Sequence, residues 1–291
     1  MKLFVDWILA RQYRLVLLAV ASAPFVQCVT MALIALETLR RGVAQGALVA
    51  VLGTACVTAL ALAGGANVAV VAAITAVVFG AGLGLGALVR WTGSLTLAFQ
   101  AVVLLTVAGV LVVSSFGPGG ADLLAPVLEL MLALLRERGA TEQQIDAFRA
   151  AEPLVLGLLA AAVLTALLLA LFLAYWWRGL AAGDSFFGRE FRSLRLSRVL
   201  GLPASALVTA GLVIDWPLVQ NLAALALFGF LFQGVSVMHA WAHARRWHAA
   251  LVAPVYVLLV TPLSALIVLA LSAVGLMDNW FDLRAPLRAR T

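Results

Sequence analysis

Residues 184–198 read DSFFGREFRSLRLSR and hold the densest positive charge in the chain. Arginine recurs at every third position of this stretch, and phenylalanine and leucine lie between the arginines. Long apolar blocks precede and follow it. A short basic stretch between apolar blocks is typical of a connection between membrane spans, and we expect the rest of the chain to be organised around it.

The composition is that of a membrane protein. Of the 291 residues, 65% are hydrophobic and 11% are charged, whereas soluble domains average about 45–50% apolar and about 25% charged residues. One water-soluble core of this size cannot bury so much apolar surface, so much of it is expected to face lipid. We therefore predict an all-α fold, a polytopic helical bundle integral to a membrane.

Apolar segments long enough to enter or cross a bilayer recur along the whole chain. They cover residues 15–39, 44–63, 67–89, 94–115, 154–177, 204–214 continued by 218–238, and 251–276. Pro24 interrupts the first segment and Asp215-Trp216-Pro217 interrupts the sixth, so both are expected to be kinked or broken. The prediction is a single membrane domain over residues 1–291 with about seven to nine membrane helices.

Residues 116–152 form an acidic, polar insert between the fourth and fifth apolar segments. The spacing of its leucines predicts an amphipathic helix over residues 121–138, after a break at residues 117–120. Thr141 and Gln144 have the spacing of a capping box for a second short helix that ends at residue 151. Two interpretations stay open: a surface loop on the bilayer, or a lid over a binding cavity.

The placement of arginine in short loops predicts the orientation. If the basic segment 178–202 is cytoplasmic, the acidic insert is extracytoplasmic, and Arg40, Arg41 and Arg90 lie inside. The basic N-terminus agrees only if the first apolar segment breaks at Pro24 into two shorter pieces. The sequence leaves the sides of both termini open.

The arginine-rich stretch itself allows two interpretations. On a helical wheel Phe187, Phe191 and Leu194 share a face, which predicts an interfacial helix with its arginines at anionic lipid headgroups. Asp184 would cap this helix, and Glu190, at the edge of the apolar face, would take an arginine partner. The other interpretation is a docking surface for a cytoplasmic partner or an anionic ligand. The candidate binding residues are Arg189, Glu190, Arg192, Arg195 and Arg198.

Other polar residues in apolar context are weaker candidates. Asp215 and Gln100 are candidate buried polar groups, although Asp215 is equally compatible with an interfacial turn that caps the next helix. His239 and His243 have the spacing of metal ligands, and they also suit a polar helix end at headgroup level. No catalytic constellation occurs in the sequence. We therefore predict no catalytic residue, no cofactor, no enzymatic activity and no binding of nucleic acid.

Small residues recur at every fourth position on three apolar segments, which lets membrane helices approach closely. The rows are Ala47, Ala55, Ala59 and Ala63; Ala72, Ala76, Gly80 and Gly84; and Ala162, Ala166, Ala170 and Ala174. Packing within the bundle and docking of a partner membrane subunit both remain open.

Three short segments resemble the YybS-like family of predicted bacterial membrane proteins. They are TLRRG at residues 38–42, GREFRSLRL at 188–196 and GLMDNWFDLR at 275–284. That family is distantly similar to the S components of energy-coupling-factor transporters, which have six helices and fewer residues. The resemblance implies a multi-pass protein of the bacterial inner membrane. Its motif in the predicted tail, residues 278–291, comprises Asp278, Trp280, Asp282 and Arg284.

The leading functional hypothesis is a membrane-embedded subunit that binds or transports a small solute or a lipid-like ligand, with a transporter subunit as its partner. The alternative is a non-transporting scaffold of the inner membrane that recruits a partner through residues 184–198. In both hypotheses the bilayer, with its anionic headgroups, is the immediate partner of the chain.

Overall fold

The computed structural model describes residues 1–65 and 67–288, and all regular elements in these ranges are helices. Residues 289–291 of the predicted tail lie outside the described residues. The helices are α1 (Lys2–Leu9), α2 (Gln12–Ser22), α3 (Gln27–Arg41), α4 (Val43–Ala63), α5 (Val68–Thr92), α6 (Leu95–Ser115), α7 (Pro118–Glu137), α8 (Glu142–Ala150), α9 (Val155–Ala182), α10 (Phe186–Arg192), α11 (Arg198–Gly211), α12 (Pro217–Ala244), α13 (Ala253–Leu258), α14 (Ser264–Phe281) and α15 (Ala285–Arg288).

Within the described residues, six helices are long and apolar enough to cross a membrane. They are α4, α5, α6, α9, α12 and α14. The shorter helices α2 and α11 are also apolar. The predicted all-helical, multi-pass membrane architecture is therefore confirmed.

The chain divides into two compact units. The first unit comprises Met1–Val102 and Thr165–Leu194, and the second comprises Val103–Leu164 and Arg195–Thr291. Each of the long helices α6 and α9 contributes residues to both units.

In the first unit, glycines of α5 allow it to pack closely against α3. A Cβ atom on Gly86 would lie 2.9 Å from the carbonyl oxygen of Ala35, and one on Gly82 would lie 3.2 Å from that of Met31. Gly80 and Gly84, which belong to the row found in the sequence, have nothing within 4 Å of such an atom. The contact with α3 is therefore made by glycines two positions along, on another face of the helix.

The N-terminal part of the first unit is a helical hairpin. Helix α2 ends at Ser22 and α3 begins at Gln27, and the Ser22 and Thr30 hydroxyls lie 2.8 Å apart near the turn. At the other end, Gln12 donates to Gln45 (2.6 Å) and accepts from Arg41 (2.6 Å). The beginning of α2 therefore lies beside the end of α3.

In the second unit, α12 and α14 cross at two glycines. A Cβ atom on Gly275 would lie 2.8 Å from the backbone nitrogen of Gly234. Ser272 also donates to the carbonyl oxygen of Leu227 at 2.8 Å. Because neither glycine carries a side chain, the two backbones come into direct contact.

The structure corrects two predicted boundaries around α14. The last apolar segment, 251–276, is not one helix, because α13 ends at Leu258 and α14 begins only at Ser264. Pro262, which lacks an N–H group, lies in the break. Helix α14 then continues to Phe281, so Asp278 and Trp280 belong to its last turn and not to a tail.

The insert contains the two predicted helices. Helix α7 begins at Pro118, three residues before the predicted start, because proline is well tolerated in the first turn of a helix. Helix α8 ends at Ala150, and its predicted capping box is present: Gln144 N lies 3.4 Å from the Thr141 hydroxyl, and Thr141 N lies 2.9 Å from Gln144 Oε1.

Candidate functional site

The stretch 184–198 is not one interfacial helix. Helix α10 ends at Arg192, and α11 begins at Arg198. Leu194 and Leu196, in the non-helical connection between them, are fully buried. The backbone N–H of Leu196 donates to Gln233 Oε1 at 2.8 Å. A side chain of α12 thus satisfies a donor that a continuing helix would have paired internally, which explains why the helix can end early.

The apolar face of α10 packs on α9 within the first unit. Phe186 and Tyr175 make an edge-on contact with ring centroids 4.9 Å apart, and Phe191 and Phe172 make another at 5.2 Å. Aromatic pairs favour this geometry. The Phe187 ring centroid also lies 6.3 Å from that of Phe172, so Phe187 and Phe191 of the predicted apolar face both pack on α9, whereas Leu194 lies beyond the helix.

The charged residues of α10 differ from their predicted roles. Asp184 does not cap the helix, since Ser185 holds the cap position and Asp184 lies 3.4 Å from Arg189 in an exposed ion pair. Burial, and then the charge of Arg189, lower the pKa of Arg192. Glu190 is half-buried and forms no ion pair with any described residue, so its expected arginine partner is absent among them.

Arg195 belongs to a different cluster, in the second unit. Its Nη2 atom lies 2.7 Å from Asp282 Oδ1 and 3.8 Å from Asp278 Oδ2. Arg284 binds Asp278 in a bidentate manner, through Nε (3.2 Å) and Nη2 (2.6 Å). Gln233 donates to Asp278 Oδ2 at 2.8 Å. We call these five residues the Asp278 network.

The Asp278 network balances buried charge. Asp278 is 0% exposed and Arg284 is 6% exposed. A carboxylate in such a place is stable only when it is paired and hydrogen-bonded, and here two arginines face two aspartates. Asp282 adopts a left-handed backbone conformation (φ 45°) at the end of α14, which turns the chain so that Arg284 returns to Asp278. The network joins α12, the end of α14 and the connection before α11.

The structure brings three of the four resemblance-motif residues into this network and separates the fourth. Trp280 donates to the Ser205 hydroxyl at 3.1 Å and is 52% exposed. Gln233 was not among the predicted site residues. The signal that could have found it is an amide deep within a long apolar segment, because such a group needs a buried partner.

Neither of the two candidate buried polar groups, Asp215 and Gln100, is fully buried. Asp215 is exposed, in the turn before α12, and Gln220 lies 3.2 Å from it. It is therefore not a buried group, and it does not cap α12, whose cap position is Trp216. Gln100 is half-buried in α6.

The two histidines differ in their environment. His239 contacts the Val235 carbonyl oxygen (3.1 Å) and the Tyr256 hydroxyl (3.3 Å), whereas His243 is exposed. Among the residues that the structure describes, no group of three His, Cys, Asp or Glu side chains is arranged to hold a metal ion.

A cavity of about 500 Å³ lies in the second unit between the insert and the first turns of α9 and α12. We call it the insert cavity. Its lining includes Leu124 and Leu128 of α7, Arg149 and Glu152 near the end of the insert, and Trp216 and Asn221 at the start of α12. Its volume falls within the range of about 300–1,000 Å³ that is typical of small-molecule sites.

Asn221 fixes one wall of the insert cavity. Its side chain is buried, accepts from the Gly157 backbone N–H at 2.6 Å and donates to the Pro153 carbonyl oxygen at 2.8 Å. A Cβ atom on Gly157 would lie 2.7 Å from the Asn221 Cα atom, so only glycine allows this approach of α9 to α12. Asn221 was not among the predicted site residues, although it is another amide within an apolar segment.

The two insert helices also contribute to the lining of the insert cavity. Leu124 and Leu128 present an apolar surface, while Arg149 lies 3.6 Å from Asp146 in an exposed ion pair. The cavity thus combines an apolar side with one cation and one carboxylate, Arg149 and Glu152.

Comparison with protein-family models, with curated proteins and with solved structures finds no significant match to this chain.

Proposed function

We propose that the protein binds a small solute or a lipid-like ligand in the insert cavity, as a membrane-embedded binding or transport subunit. The cavity is the observation that carries this proposal. Its leucines and Trp216 suit an apolar body, and Arg149 and Glu152 suit a charged or zwitterionic end. The preferred ligand is therefore amphipathic.

In this proposal the insert acts as a lid. The Asn221 bonds hold the starts of α9 and α12 together, whereas the insert contributes Leu124, Leu128 and Arg149 to the lining. Movement of the insert against a fixed wall would open and close the cavity.

The proposed topology places the N-terminus on the cytoplasmic side together with the basic loops. The α2–α3 hairpin supports this, because it returns the chain to the end where Arg41 and Gln12 bond. Arg90 donates to the Leu39 carbonyl oxygen at 2.9 Å and adds its charge to the same end of the first unit. The hairpin and α11, added to the six long helices, would give the predicted count of about seven to nine membrane helices.

The test is purification in mild detergent followed by native mass spectrometry. Wild type is expected to retain a small ligand. Arg149→Gln removes the cation and Leu128→Trp fills the cavity, so both variants should lose the ligand. Arg136→Gln, an exposed arginine of the same insert that does not line the cavity, is the matched control and should keep it. Equal retention in all four proteins would refute the proposal.

The scaffold hypothesis predicts a different result in the same preparation. It requires a soluble partner that is lost in Arg189→Ala/Arg192→Ala while the cavity variants still bind it. Arg195 is already engaged by Asp282, so the surface left for such a partner is smaller than the sequence indicated. Co-purification of an ATPase and a membrane coupling subunit would instead favour the transport role that the family resemblance implies.

A further inference from the structure

A second cavity, of about 300 Å³, lies in the second unit where α11 begins and α14 ends. Its described lining residues are Arg198, Leu202, Asn279 and Trp280. The Asn279 side chain lies against α11 because position 201 is glycine: a Cβ atom there would come within 2.8 Å of Asn279 Oδ1. We call this the Arg198 cavity, and the insert cavity shares none of these residues.

The Arg198 cavity carries an unbalanced positive charge. In the Asp278 network, Asp278 and Asp282 are matched by Arg284 and Arg195. Arg198, three residues after Arg195, is exposed and forms no ion pair with a described residue. The nearby acids are thus already neutralised, and the guanidinium of Arg198 remains available to an anion. The amide of Asn279 lies in the same cavity and can donate a second hydrogen bond.

Apolar surface adjoins this charge. Val199 is 80% exposed and Leu202 is 57% exposed, both on the first turns of α11. Trp280, half-exposed, closes the last turn of the membrane helix α14. Tryptophan at the end of a membrane helix marks the headgroup level of the bilayer. A soluble anion would use the charge alone, whereas a phospholipid would use both the charge and the apolar surface.

We propose that the Arg198 cavity binds the headgroup of an anionic phospholipid. The lipid phosphate accepts hydrogen bonds from Arg198 and Asn279, and an acyl chain lies on Val199 and Leu202. This narrows the general expectation that the arginines meet anionic headgroups to one arginine and one cavity.

The experiment uses the full chain, purified and delipidated in detergent, and native mass spectrometry. The probes are phosphatidylglycerol and phosphatidylcholine with the same acyl chains. We expect selective binding of phosphatidylglycerol, and about fivefold weaker binding in Arg198→Gln, since one basic residue near an anionic surface contributes about this much. Arg246→Gln, an exposed arginine outside the cavity, is the matched control and should bind like wild type.

A second variant keeps the proposal testable if Arg198→Gln does not fold. Asn279→Ser replaces the amide by a shorter hydroxyl side chain and should also weaken phosphatidylglycerol binding, with a thermal unfolding temperature in lipid-free detergent close to that of wild type. Equal binding of both lipids, or undiminished phosphatidylglycerol binding in Arg198→Gln, would overturn the proposal. Displacement of the lipid by millimolar inorganic phosphate would also overturn it, because the site would then take the free anion.

Discussion

At the scale of single residues, Asp278 shows how this chain buries a charge. The carboxylate accepts from Arg284 and from Gln233 and lies 3.8 Å from Arg195. Arg284 lies only six residues after Asp278, but Gln233 and Arg195 come from distant positions that spacing alone could not reveal. The family resemblance selected Asp278, Asp282 and Arg284, but only the folded chain shows that they bind one another.

The Asp278 network predicts an asymmetric effect of mutation. Arg284→Ala leaves Asp278 buried without its bidentate partner and is expected to cost about 3–5 kcal/mol of unfolding free energy. Arg189→Ala breaks an exposed pair and should cost about 1 kcal/mol or less. Denaturant unfolding in detergent measures both. A similar cost for the two variants would contradict the assignment of Asp278 as a buried, paired charge.

At the scale of elements, the closest helix contact is that between α12 and α14. Gly234 and Gly275 face each other there, and neither belongs to a row of small residues found in the sequence. Such rows occur in many apolar segments, and only the relative rotation of two helices decides which row faces a neighbour. Gly80 and Gly84 illustrate this, because they belong to a row of favourable spacing and yet a Cβ atom on either would meet nothing within 4 Å.

Two matched glycine substitutions test this difference. Gly275→Ala places a methyl group against the backbone of α12 and is expected to destabilise the protein by about 1–3 kcal/mol, as overpacking does. Gly80→Ala adds the same methyl group in open space and should leave stability unchanged or raise it by up to about 1 kcal/mol. Thermal unfolding in detergent reports both changes. Equal effects would mean that the α12–α14 contact is looser than described.

At the scale of the whole molecule, the distribution of charge predicts which loops face the cytoplasm. The basic N-terminus conflicted with the positive-inside rule if residues 15–39 formed one span. The proposed topology avoids this conflict, because in the α2–α3 hairpin the start of α2 bonds to the end of α3. Pro24 made a break into two shorter pieces possible, but the sequence did not distinguish that arrangement from one kinked span over residues 15–39.

Cysteine accessibility tests the proposed topology. In a background in which Cys28 and Cys56 are alanine, single cysteines replace the exposed residues Leu3, Glu142 and Ser185. A membrane-impermeant maleimide on intact cells should label only position 142, and positions 3 and 185 should react after permeabilisation. Labelling of position 3 together with position 142 in intact cells would refute the cytoplasmic N-terminus.

The sequence by itself determined that this is a helical, multi-pass membrane protein, because hydropathy and segment length are local properties that require no partner. It also determined the capping box of α8, whose two side chains lie three residues apart. The tertiary structure alone decided that residues 184–198 divide at Arg192, that Asp278 is neutralised by Arg284 and Arg195, and that residues of the insert line a cavity. These features depend on contacts between distant segments, such as the bond from Leu196 to Gln233 and the approach of Arg195 to Asp278, and a local pattern carries no information about such contacts.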